Sequence, residues 1–397
     1  MRSATLTPSA PLIQGVTSPD VAVDPAAFYA ATRRMRYPMR SLTAIAGLGS
    51  TDSVQLRQTG IVDMLEVRVQ GTITFGGTIT GTTMSWEWPF NLVKEFRLSA
   101  NGQSNLVRAR GLSIRCLEFV RNADINDNGV TKTINATSVQ AGTLFLPCDD
   151  WGTSSSNALS PSTDVPATGA YTVDLTFFIP VAMDQVSLVG AVYAQSSATN
   201  LSLDVQWATQ DDLLEALGGS ATFASSLNWS VVGRVYSIPN VGGKYVVPDL
   251  SQFHQLAESR QGGLVQNTNE PLLSGTGVGR RLMRLLFNVY SGSEPAPLAM
   301  TAANFNRVGW AYGGADVPES YDNGTGLRAE NIRVTGTDIG GQWGFGLWDF
   351  ASQFALRDSI DEGATSDLRV QIGLVSSPTS GYAQILQETL FAAPVGA

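Results

Sequence analysis

The residue types that most often carry out chemistry in proteins are scarce in this chain of 397 residues. Its one histidine, His254, would have to serve in any Ser-His-Asp triad, and sites with several histidine ligands are excluded. No G-x-S-x-G motif surrounds a suitable serine. The two cysteines, Cys116 and Cys148, are too few for a zinc ribbon or a disulfide scaffold. We therefore predict that His254 is a structural or a surface histidine, on a short helix over 251–259, and that the chain has no catalytic residue.

An acidic turn is the candidate for binding a metal ion. The sequence DINDNG, residues 124–129, matches the opening D-x-N-x-N-G of a calcium loop, with Asp124, Asn126 and Asn128 as candidate ligands. The twelfth position, where such loops carry a bidentate glutamate, is Asn135. Asn, Asp and Gly also favour tight turns because they tolerate the left-handed conformation. The pattern favours an Asx-rich turn over a calcium site, and we predict neither a metal nor a cofactor.

Two further motifs could act on a ligand, and neither is specific. Asp149 and Asp150 precede Trp151, as in a sugar-binding subsite, but neighbouring residues of a strand point to opposite faces. Glycoside hydrolysis needs two carboxylates about 5–10 Å apart across a cleft. The glycine-rich segment 274–281 (SGTGVGRR) lacks the lysine of a phosphate-binding loop. Both motifs are therefore interpreted as structural.

A basic segment close to the start of the chain is the clearest candidate for contact with another surface. Residues 1–40 carry five arginines against two aspartates, whereas the whole chain has a net charge of −9. Within FYAATRRMRYPMR, the residues Arg33, Arg34, Arg36, Tyr37 and Arg40 alternate with apolar side chains. Such a segment suits an anionic membrane surface. It could equally pack on its own acidic body or on a neighbouring subunit.

Composition narrows the class of protein. Charged residues make up 15% of the chain, against about 25% in ordinary soluble proteins. This composition fits a surface that is partly covered by neighbouring copies, and it fits a large polar, uncharged surface as well. The acidic net charge and a pI of 4.7 argue against direct binding of nucleic acid. No apolar run approaches the roughly 18 residues of a membrane helix. We expect a folded protein that is made in the cytoplasm.

The pattern of apolar residues predicts mainly strands. Alternation and Val/Ile/Thr content predict strands over 61–75, 88–98, 171–179, 186–193, 201–207, 229–238, 281–290, 343–348 and 368–375, although the period of 281–290 also fits a helix. Besides 251–259, short helices are predicted over 111–120 and over 210–217, the latter capped by Thr209. Polar loops are predicted over 152–169 and 309–326. Long loops on strands are typical of sandwiches and jelly rolls.

A weak internal repeat suggests a duplicated β domain. The segments 199–207 (TNLSLDVQW) and 366–374 (SDLRVQIGL) share a pattern, and an aromatic-rich segment precedes each, starting at residues 170 and 342. The offset of 167 residues is too long for a solenoid and fits the size of a β domain.

Several segments, in order, resemble the major capsid proteins of tectiviruses. They are WPFNLVKEFRLSANGQ (88–103), GLSIRCLEFVRNA (111–123), GAYTVDLTFFIPVAMDQVSLVGAVYAQ (169–195), LSLDVQWA (201–208) and PDLSQFHQLAESRQGGL (248–264). The resemblance covers most of residues 60–375 and is weak in the loops and the tail. Its motifs are structural rather than catalytic.

This resemblance implies an all-β protein of two tandem eight-stranded jelly rolls that assembles as a pseudo-hexameric homotrimer. It implies an N-terminal arm over 1–45, a first jelly roll over 46–222, and a second over 223–397 with a C-terminal tail. Its trimers would tile an icosahedral shell around an internal membrane that encloses DNA. Partners would be further copies of the chain, the membrane or its proteins through the arm, and minor vertex proteins. The location would be the virion capsid, after synthesis in the host cytoplasm.

Other functions remain open on the sequence. A carbohydrate-binding β sandwich would use clusters among the eight tryptophans, and a receptor-binding virion protein would use the polar loops. A β-sandwich hydrolase would depend on Asp149 or Asp150. The native mass of the protein separates these functions from a capsid subunit.

Overall fold

The structure is a computed structural model, and it describes residues 20–100, 103–121, 168–195, 200–273, 279–292, 297–312, 316–336, 338–351, 359–362 and 368–392. Most of these residues are in strands. In chain order the strands are β1 (Val21–Val23), β2 (Arg34–Ala44), β3 (Thr51–Gln55), β4 (Ile61–Gly76), β5 (Thr83–Met84), β6 (Val93–Ala100), β7 (Gln103–Ala109), β8 (Gly169–Pro180), β9 (Val192–Tyr193), β10 (Leu201–Trp207), β11 (Leu214–Ala216), β12 (Thr222–Tyr236), β13 (Asn240–Val241), β14 (Lys244–Val247), β15 (Gln252–Leu264), β16 (Asn267–Asn269), β17 (Arg280–Tyr290), β18 (Phe305–Tyr312), β19 (Asp316–Tyr321), β20 (Gly346–Asp349), β21 (Ile360–Asp361), β22 (Arg369–Leu374) and β23 (Gly381–Ala392).

The helices of the described residues are short and lie between strands. They are α1 (Pro25–Ala31), α2 (Gly111–Arg121), α3 (Gln210–Leu213), α4 (Gly324–Thr335), α5 (Ile339–Trp343) and a 3₁₀ turn at Phe90–Leu92. Thr209 and Asp212 form a capping box at the start of α3, as the predicted cap requires. The side chain of Asn323 accepts the N–H of Gly326 at the start of α4, and Gly336 ends this helix in the left-handed conformation.

The strand order defines two jelly rolls with the same topology. Eight strands of the first unit, numbered 1 to 8 in chain order, are β2, β3, β4, β6, β7, β8, β10 and β12. They form one sheet in the order 1-8-3-6 and another in the order 2-7-4-5. Strands β15, β16, β17, β18, β19, β20, β22 and β23 of the second unit repeat both orders. An eight-stranded double sheet of this kind is a jelly roll.

This topology confirms the predicted duplication. The two segments of the internal repeat fall on β10 and β22, which are both the seventh strand of their unit. The aromatic-rich segments before them contain β8 and β20, which are both the sixth strand. Sequence similarity at an offset of 167 residues therefore reflects equivalent places in two copies of one fold.

One continuous sheet joins the two units. Edge strand β7 of the first unit pairs in parallel with edge strand β15 of the second, at Val107 with Leu256 and Arg108 with Ala257. The 2-7-4-5 sheet of the first unit and the 1-8-3-6 sheet of the second thus form a single nine-stranded sheet together with β21. Helix α2 contributes Leu112 and Leu117 to the core cluster that also contains Leu256.

The second unit's part of this sheet is buried on both faces. In β17, Leu285 and Phe287 belong to the core of the second unit, whereas Leu286 belongs to the core of the first. A strand that is covered on both faces has a nearly continuous apolar sequence, which explains why the period of RLMRLLFNVY also fitted a helix. In contrast, β10 is covered on one face, and its burial alternates from Leu201 to Trp207.

Some predicted elements are wrong. Residues 252–264 form a strand rather than a helix, because they pair with β23 from Gln252 to Leu264. Much of the predicted loop 309–326 lies in β18, β19 and the start of α4. The predicted helix 210–217 ends at Leu213, after which β11 pairs with β5. The predicted strands over 88–98 and 343–348 begin with helical turns, and 186–193 has only the two strand residues of β9.

The pairing of the described strands bears on the boundaries of the arm and of the first jelly roll. Residues 34–44, inside the predicted arm of 1–45, are β2, which pairs with β12 along most of its length. Strand β12 spans Thr222–Tyr236 and pairs with β4 from end to end, so a division between residues 222 and 223 would remove it from its sheet. We therefore propose that the first jelly roll extends from β2 to Tyr236.

Candidate assembly surfaces

A partly buried arginine binds the first unit to the second at the start of α2. The guanidinium of Arg110 donates to Oε1 of Glu258 at 2.7 Å and to Oε1 of Glu87 at 2.9 Å, and its backbone N–H donates to Oε2 of Glu258 at 2.7 Å. Burial would lower the pKa of Arg110, but Glu258, Tyr290 and Glu87 outweigh burial and raise the pKa well above its ordinary value. This arginine therefore stays charged and ties β15 and β17 to the first unit.

A second buried cluster surrounds the single histidine. Nε2 of His254 lies 2.9 Å from Oε1 of Glu388, and Nδ1 lies 3.3 Å from the carbonyl oxygen of Val181. Arg121, at the end of α2, and Arg284, in β17, also donate to the Glu388 carboxylate. The cluster therefore joins two segments of the first unit to three strands of the second.

The electrostatics of this cluster are those of a structural network. Burial lowers the pKa of His254, although hydrogen bonding and charge from Glu388 act in the opposite direction. Burial would raise the pKa of Glu388, but Arg121 and Arg284 outweigh burial and lower the pKa well below its usual range. The carboxylate is therefore charged between two cations. His254 is 1% exposed, so these contacts support a structural histidine and not the surface histidine that was the other alternative.

Sequence reasoning did not single out these clusters as sites. A signal existed, because Arg284 has apolar neighbours on both sides in LMRLL, and Glu388 is the one charged residue of YAQILQETLF. A charge in such a strand needs a buried partner. The partner, however, lies 104 residues away, and only the fold identifies it.

The structure places the predicted arm residues at the edge of the five-stranded sheet, β2-β12-β4-β8 plus β9. Arg34 donates to Oδ2 of the fully buried Asp63 at 2.6 Å. Arg36 pairs with Glu66, whose other oxygen accepts from Arg234. These contacts correspond to packing on the acidic body of the same chain, which was one of the alternatives for this segment.

The remaining arm residues lie on the same strand or just before it. The guanidinium of Arg40 lies 4.3 Å from the ring centroid of Trp229, a cation–π contact. The hydroxyl of Tyr37 accepts from Nη1 of Arg57 at 3.1 Å. Arg33 precedes β2 and is exposed. Four of the five residues thus lie in β2 within reach of a partner in their own unit.

The Arg34–Asp63 pair makes stability depend on pH. Burial raises the pKa of Asp63 from 3.8 to about 6, although Arg34 acts in the opposite direction. A folded-state pKa above the unfolded value gives a contribution that is largest below pH 3.8 and is lost as pH rises through about 6. In the parent chain, the free energy of unfolding should therefore fall by roughly 3 kcal/mol as the pH rises from 3.8 to about 6. We expect Asp63→Asn to abolish this fall.

Urea unfolding of both proteins between pH 4 and pH 7 measures this effect. The difference between Asp63→Asn and the parent chain should change with pH across that interval. A difference that stays constant from pH 4 to pH 7 would show that Asp63 titrates normally.

The outer face of the five-stranded sheet carries an open groove of about 470 Å³. Its apolar floor includes Phe178 and Val232, and its charged rim consists of Arg36, Glu66, Arg68 and Arg234. Arg68 holds Asp174 through two hydrogen bonds of 2.8 and 2.6 Å. Residues on this face of β8 and β12 are half-buried. The charges are therefore held in place by neighbours, while the groove between them stays open.

Apolar side chains are exposed at the end of the first unit where β1 and α1 lie. Phe28, Leu188 and Val247 form a small core there, over which β1 pairs with β14. The hydroxyl of Tyr29 donates to the carbonyl oxygen of Ser187 at 2.7 Å, which places it beside the loop that contains Val186. Exposed large apolar residues of these elements are Val23, Tyr29, Val186, Val241 and Tyr245. We call these five residues the apolar end.

The other predicted ligand-binding residues lie outside the described residues. These are the calcium candidates Asp124, Asn126 and Asn128, the pair Asp149 and Asp150 with Trp151, and residues 274–278 of the glycine-rich segment. Among residues that the structure describes, no group of three or more His, Cys, Asp or Glu side chains could hold a metal ion. No helix in the described part of the chain is long and apolar enough to cross a membrane.

The sequence matches no family model, and it matches no curated protein. The fold, however, is similar to solved structures of virus capsids. The crystal structure of the MCP of STIV, the Sulfolobus Turreted Icosahedral Virus, has a TM-score of 0.64 and 14% identity, over 91% of this chain and 97% of that one. The quasi-atomic model of the PBCV-1 virus capsid has a TM-score of 0.54 and 10% identity, over 91% and 95% of the two chains. The chain is therefore, in fold, a double jelly roll of the class found in viral major capsid proteins.

Proposed function

We propose that this chain is the major capsid protein of a membrane-containing icosahedral virus, and that its function is structural rather than catalytic. One observation carries the proposal: two jelly rolls of the same topology share a sheet and buried ionic clusters, so that one chain supplies two equivalent building blocks. Three such chains would place six blocks in a closed ring, which is a shape suited to tiling a shell. The similarity to the STIV and PBCV-1 capsid structures over nearly whole chains supports the same function.

Burial of the tryptophans argues against a carbohydrate-binding sandwich. Trp88, Trp207, Trp229 and Trp343 are fully buried side chains, and Trp86, Trp310 and Trp348 are at most 9% exposed. A sugar ring stacks on an accessible aromatic face, which these seven side chains do not offer. Their large buried areas instead stabilise the two cores.

The native mass of the purified protein tests the proposal. Light scattering should give three times the chain mass of 42.2 kDa, and electron microscopy of the same fraction should show a ring with hexagonal outline. A monomer at every concentration tried would contradict the proposal. In that case glycan binding and hydrolase activity would be assayed next.

We further propose that the apolar end, with the exposed Arg33, faces the internal membrane. Aromatic and basic side chains together favour a lipid interface. The apolar side chain of Val186 is 81% exposed there. The same placement would leave minor vertex proteins as partners at other surfaces. It would also keep the acidic chain out of direct contact with nucleic acid. The protein would occupy the virion capsid after synthesis in the host cytoplasm.

Flotation with vesicles of anionic phospholipid tests the membrane contact. The parent protein should float with the vesicles, and Val186→Asp should reduce the floating fraction severalfold while the native mass is unchanged. Leu272→Asp, at an exposed position of the second unit, is the control and should float like the parent chain. Equal flotation of all three proteins would place the membrane contact elsewhere.

A further inference from the structure

A small cavity lies between α4 and the strands β19 and β20 of the second unit. Its volume is about 100 Å³, less than the roughly 150 Å³ that holds a benzene molecule, so it admits a ligand of only a few non-hydrogen atoms. Glu319, Val334 and Trp348 are among the residues that line it. Val334 is 37% exposed, so the cavity is open to solvent. The proposed capsid function makes no use of this cavity.

Glu319 brings to the cavity a negative charge that has no cationic partner among the described residues. Its Oε1 accepts from the hydroxyl of Tyr321 at 2.6 Å, and its Oε2 accepts from the indole N–H of Trp310 at 3.3 Å. Both donors are neutral. The two other carboxylates at the cavity, those of Glu330 and Asp349, each form a salt bridge with an arginine. Glu319 is half-buried, and a half-buried carboxylate without a counter-charge favours a cationic ligand.

Trp348 brings an unused hydrogen-bond donor to the same cavity. Its side chain is 2% exposed and stacks on Phe287, with the ring centroids 5.0 Å apart. The indole nitrogen is buried and has no hydrogen-bond partner among the residues that the structure describes. Leaving a buried donor unpaired costs free energy. A ligand that offers an oxygen to this N–H would recover that cost.

The carboxylates do not suit a metal ion. In the described part of the chain, no three acidic, histidine or cysteine side chains come close enough together to hold one. Val334, Leu347 and Phe350 also line the cavity, and their apolar surfaces can contact methylene groups of a ligand. A negative charge, a free N–H and apolar walls together fit a short organic cation that carries an oxygen.

We propose that this cavity binds a small amino alcohol. The ammonium group of the ligand would donate to Glu319, and its hydroxyl oxygen would accept from the indole N–H of Trp348. The inference goes beyond the capsid function and does not rest on it, because a single chain supplies the whole cavity. A lysine side chain of another protein could supply the same ammonium group but not the hydroxyl, and this difference separates the two sources.

Three probes of similar size test the two contacts by isothermal titration calorimetry on the full chain. Ethanolamine should bind. Propylamine, which has a methyl group in place of the hydroxyl, should bind roughly three- to tenfold more weakly, the usual loss for one neutral hydrogen bond. Ethylene glycol, which has a hydroxyl in place of the ammonium group, should bind more than about tenfold more weakly, because the charged contact is lost. Equal binding of ethanolamine and ethylene glycol would overturn the proposal.

Variants assign the contacts to the two side chains. Glu319→Gln keeps the shape of the side chain and an oxygen for Tyr321, so the protein should fold, and ethanolamine should bind more than about tenfold more weakly. Trp348→Phe should make ethanolamine bind no better than propylamine. Because Trp348 is buried and its variant could fail to fold, Val334→Trp is a second variant, which should fill the cavity from an exposed position and abolish binding.

Glu270→Gln is the matched control. Glu270 pairs with Arg369 beside β16, at the opposite edge of the sheet that contains β19, so this variant should bind ethanolamine like the parent chain. Far-ultraviolet circular dichroism should give the same spectrum for the parent, Glu319→Gln, Val334→Trp and Glu270→Gln.

The outcomes separate this inference from the proposed function. No binding of ethanolamine at millimolar concentration, or equal binding by the parent and Glu319→Gln, would overturn the cavity assignment and leave the capsid function standing. Acetyl-lysine amide that binds as tightly as ethanolamine would overturn the assignment to an amino alcohol and point to a lysine of another protein. Binding that needs both the ammonium group and Glu319 would establish the site whether the protein is a trimer or a monomer.

Discussion

Replacing Glu388 by glutamine should lower the free energy of unfolding by about 3–5 kcal/mol, because the change leaves buried cations without their counter-charge. The side chain of Glu388 is 1% exposed and pairs with Arg121 and Arg284, which are themselves 8% and 4% exposed. Glutamine keeps the shape of the side chain, so the loss would be electrostatic. Urea unfolding followed by tryptophan fluorescence would show the decrease as a lower midpoint.

A matched control separates this effect from the loss of any ion pair. Glu330 pairs with Arg333 on the surface of α4, and Glu330→Gln should leave the midpoint unchanged within error because solvent screens this pair. Equal shifts in the two variants would show that the buried cluster does not stabilise the fold. The direction in which the Glu388 contribution to stability changes with pH follows from its pKa. Because the folded-state pKa of Glu388 lies well below 4.5, its contribution is present above pH 4.5 and is lost as the pH falls.

Gly190→Ala should destabilise the protein by about 2–5 kcal/mol, from steric overlap and from its backbone conformation together. A Cβ atom at this position would lie 2.4 Å from Cβ of His254 and 2.8 Å from the backbone nitrogen of that residue. Neither atom can move without displacing β15. Gly190 also has a φ of +81°, which L-residues rarely adopt. Thermal unfolding would record the loss as a lower Tm.

Gly242→Ala isolates the conformational part of this effect. Its φ is +61°, and no atom lies within 4 Å of the Cβ that alanine would add. Its cost should be about 1–2 kcal/mol, which is the penalty of the left-handed conformation alone. If Gly190→Ala and Gly242→Ala lower the Tm by the same amount, the close approach of Gly190 to His254 does not stabilise the contact between the two units.

Sequence patterns predicted strands that are covered on one face, and they were less decisive for strands that are covered on both, since 281–290 was predicted as a strand but also fitted a helix, and 251–259 was predicted as a helix. The alternation of β10 follows from one buried and one partly exposed face, as does that of β4 beyond Val67, and both strands were predicted within a few residues. In β15, His254 and Leu256 face the first unit while Phe253 is buried as well, so the alternation is obscured and a short helix seemed to fit. Periodicity reports burial on one face, and it fails where a second unit covers the other.

The candidate surfaces were only partly predictable, for a different reason. Arg34 and Arg36 were identified as charges that need a partner, but Asp63 and Glu66 come from β4, which β12 separates from β2 in the sheet, and the sequence does not specify this strand order. The equivalence of α2 and α4 could be found by aligning the two halves, since both begin with glycine and carry arginine at the fifth place. Both helices lie between the fifth and sixth strands of their unit. That the described side chains of Gly111–Glu118 in α2 are all buried, whereas α4 exposes Ile332 and Val334, follows only from the packing of the units.

The shared sheet has a mechanical consequence for any shell built from this chain. Hydrogen bonds between β7 and β15, with the salt bridges Arg110–Glu258 and Arg121–Glu388 beside them, leave no hinge between the jelly rolls. Bending there would break a sheet and expose charges together. The two jelly rolls of each chain therefore behave as one rigid body. The curvature of a closed shell must then come from the contacts between chains. The angle between neighbouring chains at those contacts would set the size of the shell.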